Sequence, residues 1–145
     1  MDIGKMMLRL KKVAEELGLP LGERKKTYNS RLAQELAKWA ESKGRGDEFH
    51  DAVFRAYFVD GKNIGKKEEL VALAESVGLP AEEAKKTLQS RSFKDAVDAD
   101  WAKSHQMGIT AVPTFAIDGQ TVVGAQPFEV LEQFLKANGV KRRSI

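Results

Sequence analysis

Gly108-Ile109-Thr110-Ala111-Val112-Pro113-Thr114-Phe115-Ala116-Ile117-Asp118-Gly119, followed by Gln120-Thr121-Val122-Val123, is where the hydrophobic period of this chain changes. Upstream, apolar residues recur every three or four positions, as they do along helix faces. Here they form two short β-prone runs around Asp118-Gly119, a dipeptide suited to a two-residue hairpin turn. Pro113 has no amide hydrogen to give to a ladder, so it belongs at the entrance of the first strand and not in its middle. A cis Val112–Pro113 bond would turn the chain sharply there; an ordinary trans proline at a strand entrance is the commoner case, and the residues alone leave both open.

Helical patterning flanks this hairpin on both sides. Downstream, Phe128, Leu131, Phe134 and Leu135 share one face, expected to be buried, of a helix that Pro127 opens and Asn138-Gly139 ends. Lys141-Arg142-Arg143-Ser144-Ile145 reads as a solvated, mobile basic tail. Upstream, six helices are predicted. The first runs from Ile3 to Leu17, with Met6, Leu10, Val13, Ala14 and Leu17 on one face, and is stopped by Gly18 with Pro20 beyond. Asn29 or Ser30 can cap the second, whose stripe is Leu32, Ala33, Leu36, Trp39 and Ala40. The third, Asp47 to Val59, carries apolar residues on more than one stripe, which makes it the candidate for the middle of the core. Lys66 to Val77, Ala81 to Ser90 and Phe93 to Met107 complete the set, the last with Phe93, Ala96, Val97, Trp101 and Ser104 on its expected inner face.

Composition narrows the chemistry. At 145 residues the chain fits one compact domain. Its 24 Lys+Arg against 21 Asp+Glu leave a formal charge of only +3, without the concentrated basic face of a nucleic-acid binder. The absence of cysteine excludes disulfides, thiolate nucleophiles and cysteine-ligated metals within these residues, and two histidines are too few for a His-rich metal site. No cofactor or metal is expected. Neither a membrane-length apolar run nor a cleavable leader is present, so the chain reads as soluble and cytoplasmic.

The remaining motifs resolve into ordinary structure. Gly61-Lys62-Asn63-Ile64-Gly65-Lys66-Lys67 has one residue too few between its glycines for a phosphate loop, and no Ser or Thr follows the lysine, so it reads as an interhelical turn. His50 has no second histidine one turn away, and His105 sits at a helix end where a cationic ring favours the terminal carbonyls. The serines show no nucleophile-elbow pattern, and the lysine pairs fall on different helices. Trp39, Trp101, Tyr57 and the phenylalanines have the spacing of core residues. Val13 to Arg31 resembles Leu73 to Arg91, sharing Gly-Leu-Pro and Lys-Lys-Thr; two copies whose flanks do not continue the match read as two similar helix-corner-helix solutions and not as a duplication.

The run Gly108 to Phe115, the Asp118-Gly119 hairpin and Gly124-Ala125-Gln126-Pro127 leading into Leu131 and Leu135 together resemble the DsbA family of thioredoxin-fold proteins, in particular its FrnE-like branch. Tyr28 to Ala33, Phe54 to Phe58 and Leu70 to Gly78 are similar to that branch's helical insertion. The resemblance implies a mostly α, partial thioredoxin-like α/β fold with a small β-hairpin. It reads as a single truncated domain over residues 1–145, with the helical insertion at about 29–107 and the hairpin plus last helix at about 109–139. It further implies a cis Pro113, with Val112 and Thr114 facing the place where relatives hold a Cys-x-x-Cys pair, and Asn29 beginning a helix near that place. Val112, Pro113, Thr114 and Asn29 are therefore the expected substrate-binding residues.

The resemblance implies that the family's first strand, its Cys-x-x-Cys helix and the next strand precede Met1. Without cysteine the chain has no sulfur nucleophile for disulfide exchange, so a DsbA-like oxidoreductase that is itself inert is the first reading, its substrate an extended peptide or a thiol-containing protein. A non-catalytic peptide-binding module, or a homodimer through an open strand edge, is the second. Similarity to the glutathione-dependent kappa-class transferases and isomerases gives the third. None of the three involves nucleic acid or a membrane.

Overall fold

The computed structural model describes residues 2–144; Met1, and Ile145 at the end of the expected basic tail, lie outside them. In chain order the elements are α1 (Ile3–Glu16), α2 (Arg31–Ser42), α3 (Gly46–Phe58), α4 (Lys67–Ser76), α5 (Ala81–Ser90), α6 (Lys94–Gln106), β1 (Thr114–Ile117), β2 (Gln120–Val123) and α7 (Phe128–Ala137). The chain is thus mostly helical with one two-stranded antiparallel sheet, as its periodicity predicts. It divides into two compact units, the first ending at Val97 and the second starting at Asp98.

The core of the first unit is built around α2. Ala33, Leu36, Ala37, Trp39 and Ala40 are all buried there, and α3, α4 and α5 each pack on this helix. Phe49 and Ala56 from α3, Leu70, Leu73 and Ala74 from α4, and Ala84 and Leu88 from α5 complete the cluster. The third helix is therefore not the middle of the core, contrary to the expectation from its several apolar stripes. Its Phe54 and Phe58 remain 56% and 42% exposed. The reason is steric: three alanines on α2 let neighbouring helices approach closely, so that helix is enclosed although its side chains are smaller.

Both Gly-Leu-Pro corners have the same local form. The Leu19 and Leu79 amides donate to the carbonyls of Ala14 and Ala74, at 2.8 and 3.0 Å, and close the preceding helix in each case. Beyond the corner the copies diverge: α5 starts at Ala81, whereas the chain after Pro20 has no helix until Arg31. Helix α1 is capped by Asp2, whose Oδ1 accepts from the Lys5 amide at 3.2 Å, and it buries none of its residues.

In the second unit, Thr114 pairs with Val123, Phe115 with Val122, Ala116 with Thr121 and Ile117 with Gln120. The turn needs positive φ at both central positions, and Asp118 and Gly119 supply 45° and 80°. No described residue from Asp98 onward is buried. Two expectations are corrected here. Phe128 and Leu135 on α7 are 68% and 41% exposed, and Trp101 on α6 is 48% exposed, so the apolar faces exist but lie open. Periodicity identifies a face; it does not supply the layer that covers it.

Leu36→Ala should therefore lower the urea-unfolding free energy of the helical unit by about 2–5 kcal/mol, while Phe128→Ser should change it by no more than about 0.5 kcal/mol, both followed by far-UV circular dichroism.

Candidate functional site

The hairpin's first strand starts at a cis Val112–Pro113 peptide bond. The Gly124 amide donates to the Pro113 carbonyl at 2.8 Å, extending the ladder one pair past Thr114–Val123. Hydrogen-bonded pairs alternate along an antiparallel ladder, so Pro113, Phe115 and Ile117 face β2 through their backbone groups. The amides and carbonyls of Thr114 and Ala116 point to the other edge, where no strand lies among the described residues.

Ahead of the proline the chain is held by Thr114, whose hydroxyl donates to the Ala111 carbonyl at 2.6 Å. Gln126 Nε2 donates to the Val123 carbonyl at 2.8 Å and braces the far end of β2. Val112 itself is 90% exposed, and among the described residues neither its amide nor its carbonyl makes a hydrogen bond. A pocket of about 300 Å³ opens beside it, lined by Trp101, Ser104 and His105 from α6 and by Ile109 to Val112. Ser104 Oγ donates to the Asp100 carbonyl at 3.0 Å, so its hydroxyl is committed to its own helix.

Of the four residues expected to bind substrate, Val112, Pro113 and Thr114 form one continuous surface in the second unit. Asn29 belongs to the first unit, where its side-chain oxygen accepts from the Arg31 amide at 2.8 Å and starts α2. Trp101 and His105 were not expected to line a site. Their signal in the sequence was position alone: both lie within the two helical turns that precede the Gly108 corner, and α6 has little other apolar content to direct its packing.

One buried titratable group competes for attention. Glu35 is 1% exposed in the middle of α2. Arg91 holds it with two bonds of 2.6 Å, from Nε and from the second terminal nitrogen, and Arg31 Nε adds a third at 2.9 Å. The hydrogen bonds from Arg91, and then those from Arg31, hold this carboxyl below the ordinary glutamate range against the opposing effect of burial. Arg91 reaches it from a left-handed backbone conformation, φ 55°, at the end of α5, a geometry that costs a non-glycine residue about 1–2 kcal/mol. A carboxylate saturated by two guanidinium groups is a poor general base, so this cluster fastens α2 to the end of α5 and does no chemistry.

Removing one partner of such a cluster strands charge. Glu35→Ala should cost about 2–4 kcal/mol in urea unfolding at neutral pH. Because the folded-state pKa of Glu35 is depressed, its contribution is full above the unfolded value of 4.5 and is lost as pH falls through the folded value. The wild-type unfolding midpoint should then drop below about pH 4.5 more steeply than that of Glu35→Gln. Equal slopes would remove the carboxylate from the account.

The sequence model of the DSBA-like thioredoxin domain matches residues 2–136. The chain is 33% identical over 112 residues to the Bacillus subtilis protein YwbO, covering 77% of this chain and 56% of YwbO. It is 32% identical to the ClpXP adapter protein SpxH of the same organism, covering 68% of this chain and 36% of SpxH. Among solved structures, a probable DsbA oxidoreductase from Streptomyces coelicolor superposes with a TM-score of 0.79 at 33% identity, covering 91% of this chain and 58% of that one. The chain thus spans from about a third to somewhat over half the length of the relatives named here.

Proposed function

The chain belongs to the DSBA-like thioredoxin domain family, and on that premise we propose that its own residues serve peptide recognition and not redox chemistry. The observation that carries this reading is Val112: 90% exposed, with both backbone groups unengaged, directly ahead of Pro113. An extended peptide meets such a segment by exchanging one amide and one carbonyl with it, as an added strand does. Thr114 fixes the approach through its bond to the Ala111 carbonyl, and Pro113, lacking an amide hydrogen, presents only its ring.

Thiol–disulfide exchange requires a thiolate to attack a disulfide sulfur, and these 145 residues contain no cysteine. Methionine's thioether cannot form a mixed disulfide. Turnover, where it occurs, draws its cysteines from outside this chain, and the substrate class is a thiol-bearing or extended polypeptide in the cytoplasm. A relative, SpxH, is named a ClpXP adapter protein, which supports a binding role for this chain.

A second reading rests on β1. The outward backbone groups of Thr114 and Ala116 lack partners among the described residues, and an unpaired edge recruits another chain. Homodimerisation through this edge should appear in light scattering as a mass that rises with concentration; a strict monomer throughout would remove it.

For the main reading, insulin reduction by the purified chain should match the buffer blank. Titration with an extended peptide carrying S-methylated cysteine should shift the Val112 and Thr114 amide resonances, and a peptide N-methylated at the pairing residue should not. Turnover above the blank, or unmoved amides, would defeat it.

A further inference from the structure

Helix α1 carries an apolar face that its own unit leaves open. Met6, Leu10, Val13 and Leu17 follow one another at three- and four-residue steps along it, and Leu10, Val13 and Leu17 are 49%, 41% and 66% exposed. Beside this face run Leu19, Pro20 and Leu21, with Phe58 from the end of α3, and the hollow they enclose with α1 has a volume of about 250 Å³. The Leu19 amide is bonded to the Ala14 carbonyl and the Gly22 amide to the Phe58 carbonyl, at 2.8 Å each. These backbone groups are therefore not free to pair with an added strand. What the groove offers is side-chain surface over about three helical turns, the geometry that receives the apolar face of another helix.

The charge around the groove indicates the chemistry of that helix. The first 26 residues hold seven Lys and Arg against four Asp and Glu, which accounts for the whole formal charge of +3; the remainder carries 17 of each sign. Arg24 lines the groove, its guanidinium held over the Tyr57 and Phe58 rings at 4.6 and 5.6 Å from their centroids. Lys11 and Lys25 line a second hollow that shares Met7, Leu21, Gly22 and Arg24 with the first, and Glu23 is the acid among its walls. Arg9, three residues from Met6 and four from Val13, flanks the apolar face on α1 itself. None of Arg9, Lys11, Arg24 and Lys25 has a carboxylate partner among the described residues. We propose that this groove docks an amphipathic helix of a partner protein, with acidic residues flanking its apolar stripe. A second copy of the chain would bring like charges together, and a lipid surface would meet a concave wall; the acidic helix matches both the shape and the sign. The face belongs to the first unit and owes nothing to Val112.

The test is fluorescence anisotropy of the full chain against a dye-labelled, hydrocarbon-stapled helix of about four turns, with leucine at three- and four-residue steps and glutamate on both flanks. It should bind about tenfold more tightly than the same helix with lysine for glutamate, and in about 0.5 M sodium chloride the gap should close to about twofold. A version with serine for leucine should not bind. Leu10→Ser and Leu17→Ser, both at exposed positions and so expected to keep the far-UV circular dichroism of the wild type, should each weaken binding about threefold to tenfold. Arg9→Glu combined with Lys11→Glu should abolish the preference for the acidic helix. Equal affinity for the glutamate and lysine helices, or binding unchanged by both serine variants, would overturn the proposal. So would either rival occupant: a mass that rises with concentration and is restored to monomer by Leu17→Ser, or sedimentation with vesicles of phosphatidylglycerol and phosphatidylcholine in the absence of any binding to the acidic helix.

Discussion

A carboxylate placed inside a helical cluster has to be neutralised or the cluster does not form, and Glu35 imposes that requirement here. It stands on the helix around which α3, α4 and α5 pack, and its hydrogen bonds to Arg31 and Arg91 fasten the start of α2 and the end of α5 to one point. Arg31 also donates to the Lys94 carbonyl at 3.0 Å, so the same cluster reaches the first residue of α6. Hydrophobic burial supplies most of the stabilisation of such a core, but it is non-directional. The guanidinium–carboxylate geometry has direction, and it ties α2, the end of α5 and the first residue of α6 to one point.

The two units meet opposite physical conditions. In the first, small residues on α2 allow close packing, and no buried side-chain nitrogen or oxygen among the described residues lacks a hydrogen-bond partner. In the second, a hairpin of four-residue strands and a ten-residue helix present apolar side chains without enclosing any of them. Two strands rarely hold together by themselves in water. Val112 and the pocket beside it thus occur where the chain has its surface least satisfied, while the saturated charge cluster occurs where it is most compact.

Much of this was legible in the order of residues. The change of period at Gly108, the Asp118-Gly119 turn and the glycine corners at 18 and 78 define element types and nearly all boundaries, because each is a local requirement of backbone geometry. Val112, Pro113 and Thr114 were reached through resemblance, since nothing local in those residues distinguishes a binding segment from a strand entrance. What escaped were properties of assembly. The enclosure of α2 depends on its alanines, which carry little hydrophobic signal; the burial of Glu35 depends on Arg91, 56 positions away. Likewise, Trp101, Phe128 and Leu135 have the spacing of covered residues and are open. Asn29 was legible as a helix starter, and its bond to the Arg31 amide accounts for it locally.

The hairpin also sets a colloidal limit. Neither Thr114-Phe115-Ala116-Ile117 nor Gln120-Thr121-Val122-Val123 contains a lysine, a glutamate or any other charge, the gatekeepers that natural edge strands use against sheet growth. A formal charge of +3 spread over 145 residues adds little long-range repulsion between molecules. The uncharged outer edge of β1 is therefore a place where sheet growth between copies would start, a hazard that the average composition does not reveal.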